Sequence, residues 1–333
     1  MKALKYSDIV LIPSYSKCKS RSDCDATSMI GGKRYKLPII PSNMKSVVDS
    51  RHCKWLANNN FFYIMHRFDV DIQAFVDNAN RNNWPLVSIS LGVKPADQLL
   101  IDKFRSAGSR IDFITIDIAH GHSSLMKDMI GYCKSQLPKT QIIAGNVATP
   151  RAVKDLAAWG ADIVKVGIGQ GSPCTTKDKT GFTMPMFSCV QQCSNLQIEK
   201  PFLDPSGDAY PFDSRIPIIA DGGTSSNGDI SKALVAGADF VMAGGLFACC
   251  SDSPSLSIEI EGTLHKAYYG SASFENKKTN THIEGTLKHV ASCGMNMKRK
   301  LIEIEEDIRS SISYAGGEDI SILNSKDVEY MEV

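Results

Sequence analysis

A chain of 333 residues with a formal charge of +1, 43% apolar and 22% charged residues, is large enough for one sizeable core. Its near-neutral balance leaves no electrostatic footprint for nucleic acid or a membrane surface. Met1 to Asp8 has no stretch of signal-peptide length and no later apolar run approaches a membrane span, so the expectation is a cytoplasmic protein with no membrane or nucleic-acid partner.

Residues 1–36 precede the first apolar run and are expected to cover the base of the fold or meet a neighbour. From there, short apolar runs alternate with amphipathic stretches: Leu37–Pro41, Phe61–Met65, Leu86–Ser90, Phe113–Ile116, Gln141–Ala144, Ile163–Val166, Ile216–Ala220 and Phe240–Ala243. Runs of four to six residues that are apolar on both faces read as parallel strands covered by helices on each side. Between them, Ile72-Phe75-Val76-Ala79 and Val153-Leu156-Ala157 have helical spacing. Eight strands alternating with helices over about 250 residues predict a (β/α)8 TIM barrel in a single domain spanning 1–333. The chain also resembles itself. Ile142-Ile143-Ala144-Gly145 returns as Ile218-Ile219-Ala220-Asp221, and Gly160-Ala161-Asp162 as Gly237-Ala238-Asp239, as a symmetric barrel would have it.

Three stretches depart from a plain barrel. Residues 195–215 form a long proline-containing loop, the segment 262–294 has the mixed polarity of a mobile flap, and a final helix is predicted over Met297–Ile312. Nearly every predicted strand runs out into polar or glycine residues: Ser42-Asn43-Met44, His66-Arg67, Asp117, Asn146, the loop from Gly167, Asp221-Gly222-Gly223 and Gly244-Gly245. In such a barrel these ends share the catalytic face.

The densest signal is the loop 167–185, which begins Gly167-Ile168-Gly169-Gln170-Gly171-Ser172-Pro173-Cys174-Thr175-Thr176. Its glycines permit a sharp turn and close approach to a ligand, and Cys174 is its strong nucleophile, with hydroxyls on either side to stabilise a thiolate. Ten cysteines without a CxxC pair argue against a disulfide framework or zinc cluster. The glycine pairs after strands seven and eight suit a phosphate group, and Asp221 and Asp117 suit ribose hydroxyls. Asp117-Ile118-Ala119-His120-Gly121-His122 has the look of a metal site but lacks further ligands at metal spacing, so its histidines are expected to pack and hydrogen-bond.

Gly167–Gly181, Asp117–Gly121, Asp221-Gly222-Gly223, Gly244-Gly245 and Tyr269-Gly270-Ser271 together resemble the IMP dehydrogenase and GMP reductase family, and the likeness runs from Tyr6 to about Gly317. Within the family it resembles the reductase branch. Arg67 leads straight into the next helix where dehydrogenases insert regulatory modules, no arginine lies between Gly270 and Gly294, and Ile283-Glu284-Gly285 resembles the reductase glutamate that partners Thr176.

The resemblance implies NADPH-dependent conversion of GMP to IMP and ammonia, with Cys174, Thr176 and Glu284 catalytic and a covalent thioimidate on Cys174. It places Ser42, Met44, Asp221, Gly222, Gly223, Gly244, Gly245, Gly270 and Ser271 around the nucleotide. It assigns Arg67, Asp117, Ile118, Ala119, Asn146, Gly167 and Ser313 to the cofactor, and Ser20 and Arg21 to the cofactor of an adjacent subunit. Carbonyls of Gly169, Gly171 and Cys174 resemble a potassium loop, and a homotetramer is implied. Gln170 and Pro173 depart from the family pattern, in which proline and a small apolar residue are usual there. The other readings are a dehydrogenase without regulatory modules and a purine-nucleotide-binding protein that has lost catalysis.

Overall fold

The computed structural model describes residues 2–196, 215–279 and 281–333. An N-terminal strand β1 (Ile9–Leu11) and a hairpin of β2 (Ser28–Ile30) and β3 (Lys33–Tyr35) precede the main sheet. That sheet comprises β4 (Ile39–Pro41), β5 (Ser88–Leu91), β6 (Phe113–Asp117), β7 (Gln141–Val147), β8 (Ile163–Val166), β9 (Ile218–Asp221) and β10 (Phe240–Ala243). All its pairings are parallel, in the order β4-β10-β9-β8-β7-β6-β5. Strands lie side by side in chain order, and the first pairs with the last, so the sheet curls. Their Ile and Val residues are buried on both faces, as parallel strands under helices require.

The second predicted strand is not a strand. Phe61–Met65 is buried and extended, but it joins the sheet at a single bridge between Met65 and Ile89, with Met65 N–H on the Ser88 carbonyl at 3.0 Å and Ser90 N–H on the Met65 carbonyl at 2.9 Å. On its other side aromatic packing stands in place of a ladder. Phe62 meets Tyr35 edge-on at 5.2 Å, Phe113 at 5.0 Å and Phe240 at 6.1 Å. The observed architecture is therefore a seven-stranded curled parallel sheet.

The covering helices form where caps and apolar spacing coincide. Asp49 caps α1 (Ser50–Asn58) and Asp71 caps α2 (Ile72–Arg81), which buries Ile72, Phe75, Val76 and Ala79. Pro95 opens α3 (Pro95–Ala107), which ends at a left-handed Gly108. Ser123 caps α4 (Ser124–Gln136), and Thr149 with Pro150 starts α5 (Pro150–Ala158). Next come α6 (Thr176–Thr180), α7 (Met186–Ser194), α8 (Asn227–Val235) and α9 (Gly245–Ala248).

The base is closed by the hairpin β2–β3. Its turn residue Gly31 lies at φ +59°, and a Cβ there would come within 2.3 Å of Phe113 and 2.2 Å of Gln141, so a side chain would displace the plug. Only this hairpin of the N-terminal segment packs at the base: Tyr6 lies instead beside Gly223 after β9, and its carbonyl accepts from Lys232 of α8 at 2.8 Å. After α9 the chain forms a three-stranded antiparallel sheet of β11 (Ser257–Ile260), β12 (Thr263–Tyr268) and β13 (Lys288–Ala291), with the short α10 (Phe274–Lys277) between its last two strands. This sheet starts before the predicted flap boundary, because a turn at Glu261-Gly262 pairs β11 with β12. The last helix, α11 (Met297–Tyr314), runs two residues beyond its predicted end and buries Met297, Leu301, Ile304, Ile308 and Ile312. A final strand β14 (Tyr330–Glu332) pairs with β1. The long loop expected at 195–215 falls almost entirely outside the described residues. Among the described residues no helix is long and apolar enough to cross a membrane.

Candidate active site

The apolar strand β8 ends in a glycine turn because the turn must press against the end of β9. Gly167 adopts φ +132°, and a Cβ there would lie 2.0 Å from the Asp221 carbonyl oxygen. Gly222, at φ +113°, faces Gly171 and Gln170 closely, and Gly223 N–H donates to the Gln170 carbonyl at 3.1 Å. The glycines after β9 thus hold the cysteine loop in place. In this structure the Gly223 N–H is engaged within the protein, by the cysteine loop. Gln170, one of the two departures from pattern, also ties the loop through its side chain, with Nε2 on Thr183 Oγ1 at 2.7 Å.

The loop presents Cys174 half-buried beside a directed chain of hydrogen bonds. The Cys174 thiol donates to Thr176 Oγ1 at 3.2 Å, and the Thr176 hydroxyl donates to Glu284 Oε2 at 2.7 Å. Glu284 comes from the segment between α10 and β13, 108 residues further on. It is held by backbone pairing: Thr175 N–H donates to the Glu284 carbonyl at 2.9 Å, Thr286 N–H to the Pro173 carbonyl at 2.9 Å, and Cys174 bridges Gly285. Thiol, hydroxyl and carboxylate therefore form a continuous path for a proton.

Beneath this lies a charged floor centred on Lys165, a residue that sequence reasoning missed, although it singled out Asp117, Asn146 and Asp221. Lys165, in the middle of β8 and only 2% exposed, donates to Asp117 Oδ1 at 2.9 Å and Asp221 Oδ2 at 2.6 Å. Asn43 donates to the other Asp117 oxygen at 3.0 Å, and Asn146 bridges Asp221 at 2.9 Å and the Gly167 carbonyl at 2.7 Å. Burial pushes the Asp117 carboxyl up, but Lys165, Arg67 and Asn43 together hold it below its ordinary value. Burial alone would lower Lys165, and the two carboxylates raise it instead. The signal for this floor was present: a lysine inside the run Ile163-Val164-Lys165-Val166 cannot be buried without anionic partners.

Other predicted residues sort by place. Ser42 N–H closes on the Ala243 carbonyl at 2.9 Å, and a Cβ at Gly270 would lie 3.8 Å from the Met44 tip and 3.9 Å from Pro173. Met44, Gly270 and the cysteine loop therefore meet. Gly244 leaves room for the Tyr268 hydroxyl, which would lie 2.1 Å from a Cβ at that position, and Gly245 begins α9. Ser271 is exposed in the turn before α10. Arg67 donates to the Asp117 carbonyl at 3.1 Å and leaves its Nε buried without a partner. Ile118 exchanges backbone bonds with Gly145 and Asn146, at 3.0 and 2.9 Å, while Ala119 is exposed.

Ser20, Arg21 and Ser313 are not brought to the cysteine loop. Ser20 caps a short 3-10 turn over Arg21–Asp23, and Arg21 donates to the Tyr314 hydroxyl at 3.1 Å and lies over its ring. Ser313 sits in the same last turn of α11, because that turn packs against the N-terminal segment. His122 binds Asp155 at 2.8 Å and stacks on Trp159, a packing and hydrogen-bonding role. No group of three metal-ligating side chains occurs among the described residues.

A parallel α/β sheet whose strand ends gather a glycine-flanked thiol, a hydroxyl–carboxylate pair and a charged floor defines an enzyme of the barrel-like class. Residues 3–333 match the IMP dehydrogenase / GMP reductase domain, and the chain belongs to that family. It is 43% identical over 333 residues to a GMP reductase of Acidovorax ebreus and 44% to one of Albidiferax ferrireducens, each alignment covering 99% of this chain and 96% of the relative. It is 41% identical over 329 residues to a GMP reductase of Staphylococcus carnosus, covering 98% and 96%.

Proposed function

We propose that this chain is a GMP reductase, an oxidoreductase of purine nucleotide interconversion that takes GMP to IMP and ammonia. The single observation that carries the reading is the path from Cys174 through Thr176 to Glu284. The nucleotide would lie over Met44, Gly270 and Ser271, with its phosphate toward Ser42, Gly222, Gly244 and Gly245 and its ribose toward Asp221.

The thiol proton moves along the relay to Glu284 as the sulfur bonds to purine C2. Glu284 returns that proton through Thr176 to the exocyclic nitrogen, the C–N bond breaks, and ammonia leaves a thioimidate on Cys174. Covalent capture divides one difficult substitution into two easier steps, and the relay supplies general acid–base help to a poor leaving group. No residue is needed to activate water.

A nicotinamide cofactor, when bound, supplies the hydride that releases IMP. The residues fit such a group: Arg67 carries a buried Nε without a partner beside Asp117, which suits a polar ligand, and Asn146 and Gly167 border the space. We assign the cofactor as NADPH. Asp117, Ile118, Ala119 and Arg67 of one chain would hold its nicotinamide half, while Ser20, Arg21 and Ser313 would serve a neighbouring chain in a homotetramer. A potassium ion fits the donor set of Gly169, Gly171 and Cys174. The Gly171 carbonyl accepts Cys174 N–H at 2.9 Å and keeps a second lone pair.

The curled sheet with the Phe61–Met65 segment is read as one closed (β/α)8 barrel domain over 1–333, preceded by the extension 1–36. The cysteine loop 167–185 faces the flap 262–294, and a cytoplasmic enzyme is expected. The test is to follow NADPH oxidation on addition of GMP while assaying ammonia. Steady formation of XMP from IMP and NAD would instead make the chain a dehydrogenase.

A further inference from the structure

Away from the site, two thiols stand together. Cys18 Sγ and Cys24 Sγ are 3.4 Å apart, across a turn that is already fixed. Asp23 N–H donates to the Ser20 carbonyl at 3.0 Å, Cys24 N–H to the Arg21 carbonyl at 3.2 Å, and the Cys18 thiol to the Ser20 carbonyl at 3.0 Å. The turn is clamped from α11 by Arg309, which donates to the Ser22 carbonyl at 3.1 Å, and by the Arg21–Tyr314 contact. Cys24 is buried and Cys18 half-buried, with exposed Lys17, Lys19 and Arg21 around it.

We infer that Cys18 and Cys24 form a dithiol modification site that closes to a disulfide by exchange with an anionic low-molecular-weight disulfide such as oxidised glutathione. A disulfide needs its sulfurs at about 2.05 Å, so the pair, at 3.4 Å, has little more than an ångström to close. The clamped turn holds the pair at high effective concentration. Cys18 is the reachable sulfur, and the exposed Lys17, Lys19 and Arg21 around it attract an anionic oxidant.

The steps balance. The Cys18 thiolate attacks one sulfur of oxidised glutathione, forming a mixed disulfide and expelling one glutathione thiolate. The Cys24 sulfur, having released its proton, then attacks Cys18 Sγ and expels the second. One intermolecular S–S bond is exchanged for one intrachain S–S bond. Two electrons pass to the glutathione disulfide, and the two protein protons end on two glutathione thiols. The product ties together residues 18–24 and fixes Arg21 against Tyr314. The inference stands independently of the reaction assigned to Cys174.

The experiment equilibrates the full chain in glutathione buffers of stepped oxidised-to-reduced ratio, then unfolds it in denaturant containing excess iodoacetamide, so that buried thiols also react, and maps each cysteine by mass. Cys18 and Cys24 should lose alkylation together, with a peptide pair about 2 Da lighter than its reduced form, and the loss should reverse on reduction. Cys24→Ser should instead retain one glutathione on Cys18, and Cys18→Ser should leave Cys24 alkylated throughout. Alkylation of both residues at every ratio, or stable glutathione on Cys18 of the unaltered chain with Cys24 still alkylated, would overturn the inference.

Discussion

Lys165 has no room to be a surface charge. Two carboxylates and one ammonium leave the floor with a formal charge of −1, and every partner within it is a hydrogen-bonded neighbour. Removing one member of such a buried set costs ~3–5 kcal/mol, because the remaining charges stay buried and unpaired. Lys165→Met should therefore lower stability by that order in denaturant titration and, if it folds, weaken GMP turnover, with Lys165→Arg recovering part of both. At the relay, Thr176→Val and Glu284→Gln should each cut kcat by about 10²–10⁴-fold with unchanged circular dichroism. A drop in either variant of less than about tenfold in kcat would remove Glu284 and Thr176 from proton transfer. The thiol, its hydroxyl partner and the glutamate were all readable from the loop and from the family resemblance. The floor's lysine was legible too, as a charge inside an apolar run, but a strand reading averages Lys165 into its neighbours and does not ask where its charge goes.

The first covering helix carries a titrating joint. His52 lies in α1, 9% exposed, with Nδ1 at 2.7 Å from the capping Asp49 and Nε2 at 3.7 Å from Asp252, whose other oxygen accepts Met297 N–H at the start of α11. Burial opposes the imidazolium, but the two aspartates prevail and raise His52 from 6.5 to about 9. A raised histidine stabilises the fold fully below its unfolded value and loses that contribution as pH rises through the folded one. Stability should accordingly fall between about pH 6.5 and 9, by roughly 3 kcal/mol, and His52→Gln should flatten that slope. An unaltered slope in the variant would place the titration elsewhere.

Elements were readable to differing degrees for a physical reason. Ile142-Ile143 and Ile218-Ile219 are buried on both sides and pair as expected, whereas Phe61–Met65 has the same apolar character but spends its bulk on aromatic contacts with Tyr35, Phe113 and Phe240. Periodicity reports burial, and burial alone does not distinguish a ladder from a packed extended segment. The three-stranded sheet was missed because β11 and β13 are largely exposed and leave little apolar alternation to read.

The whole molecule is a curled sheet closed at opposite ends by different parts of the chain: a glycine hairpin at the base, and the cysteine loop bonded to a distant glutamate segment at the other. Gly31→Val should disturb the base alone. A left-handed, fully packed position given a branched side chain costs about 1–3 kcal/mol, so the melting temperature should fall by several degrees while activity well below the transition survives. Activity lost in proportion to stability would mean that the two ends are coupled.

The measurement that bears most directly on the central claim is a stoichiometric assay of the purified chain with GMP and NADPH, following NADPH absorbance, IMP and ammonia together. The account predicts equal amounts of NADPH consumed and of IMP and ammonia formed, all abolished by Cys174→Ala. NADPH oxidation that does not depend on GMP, or XMP formed from IMP with NAD at a comparable rate, would contradict it.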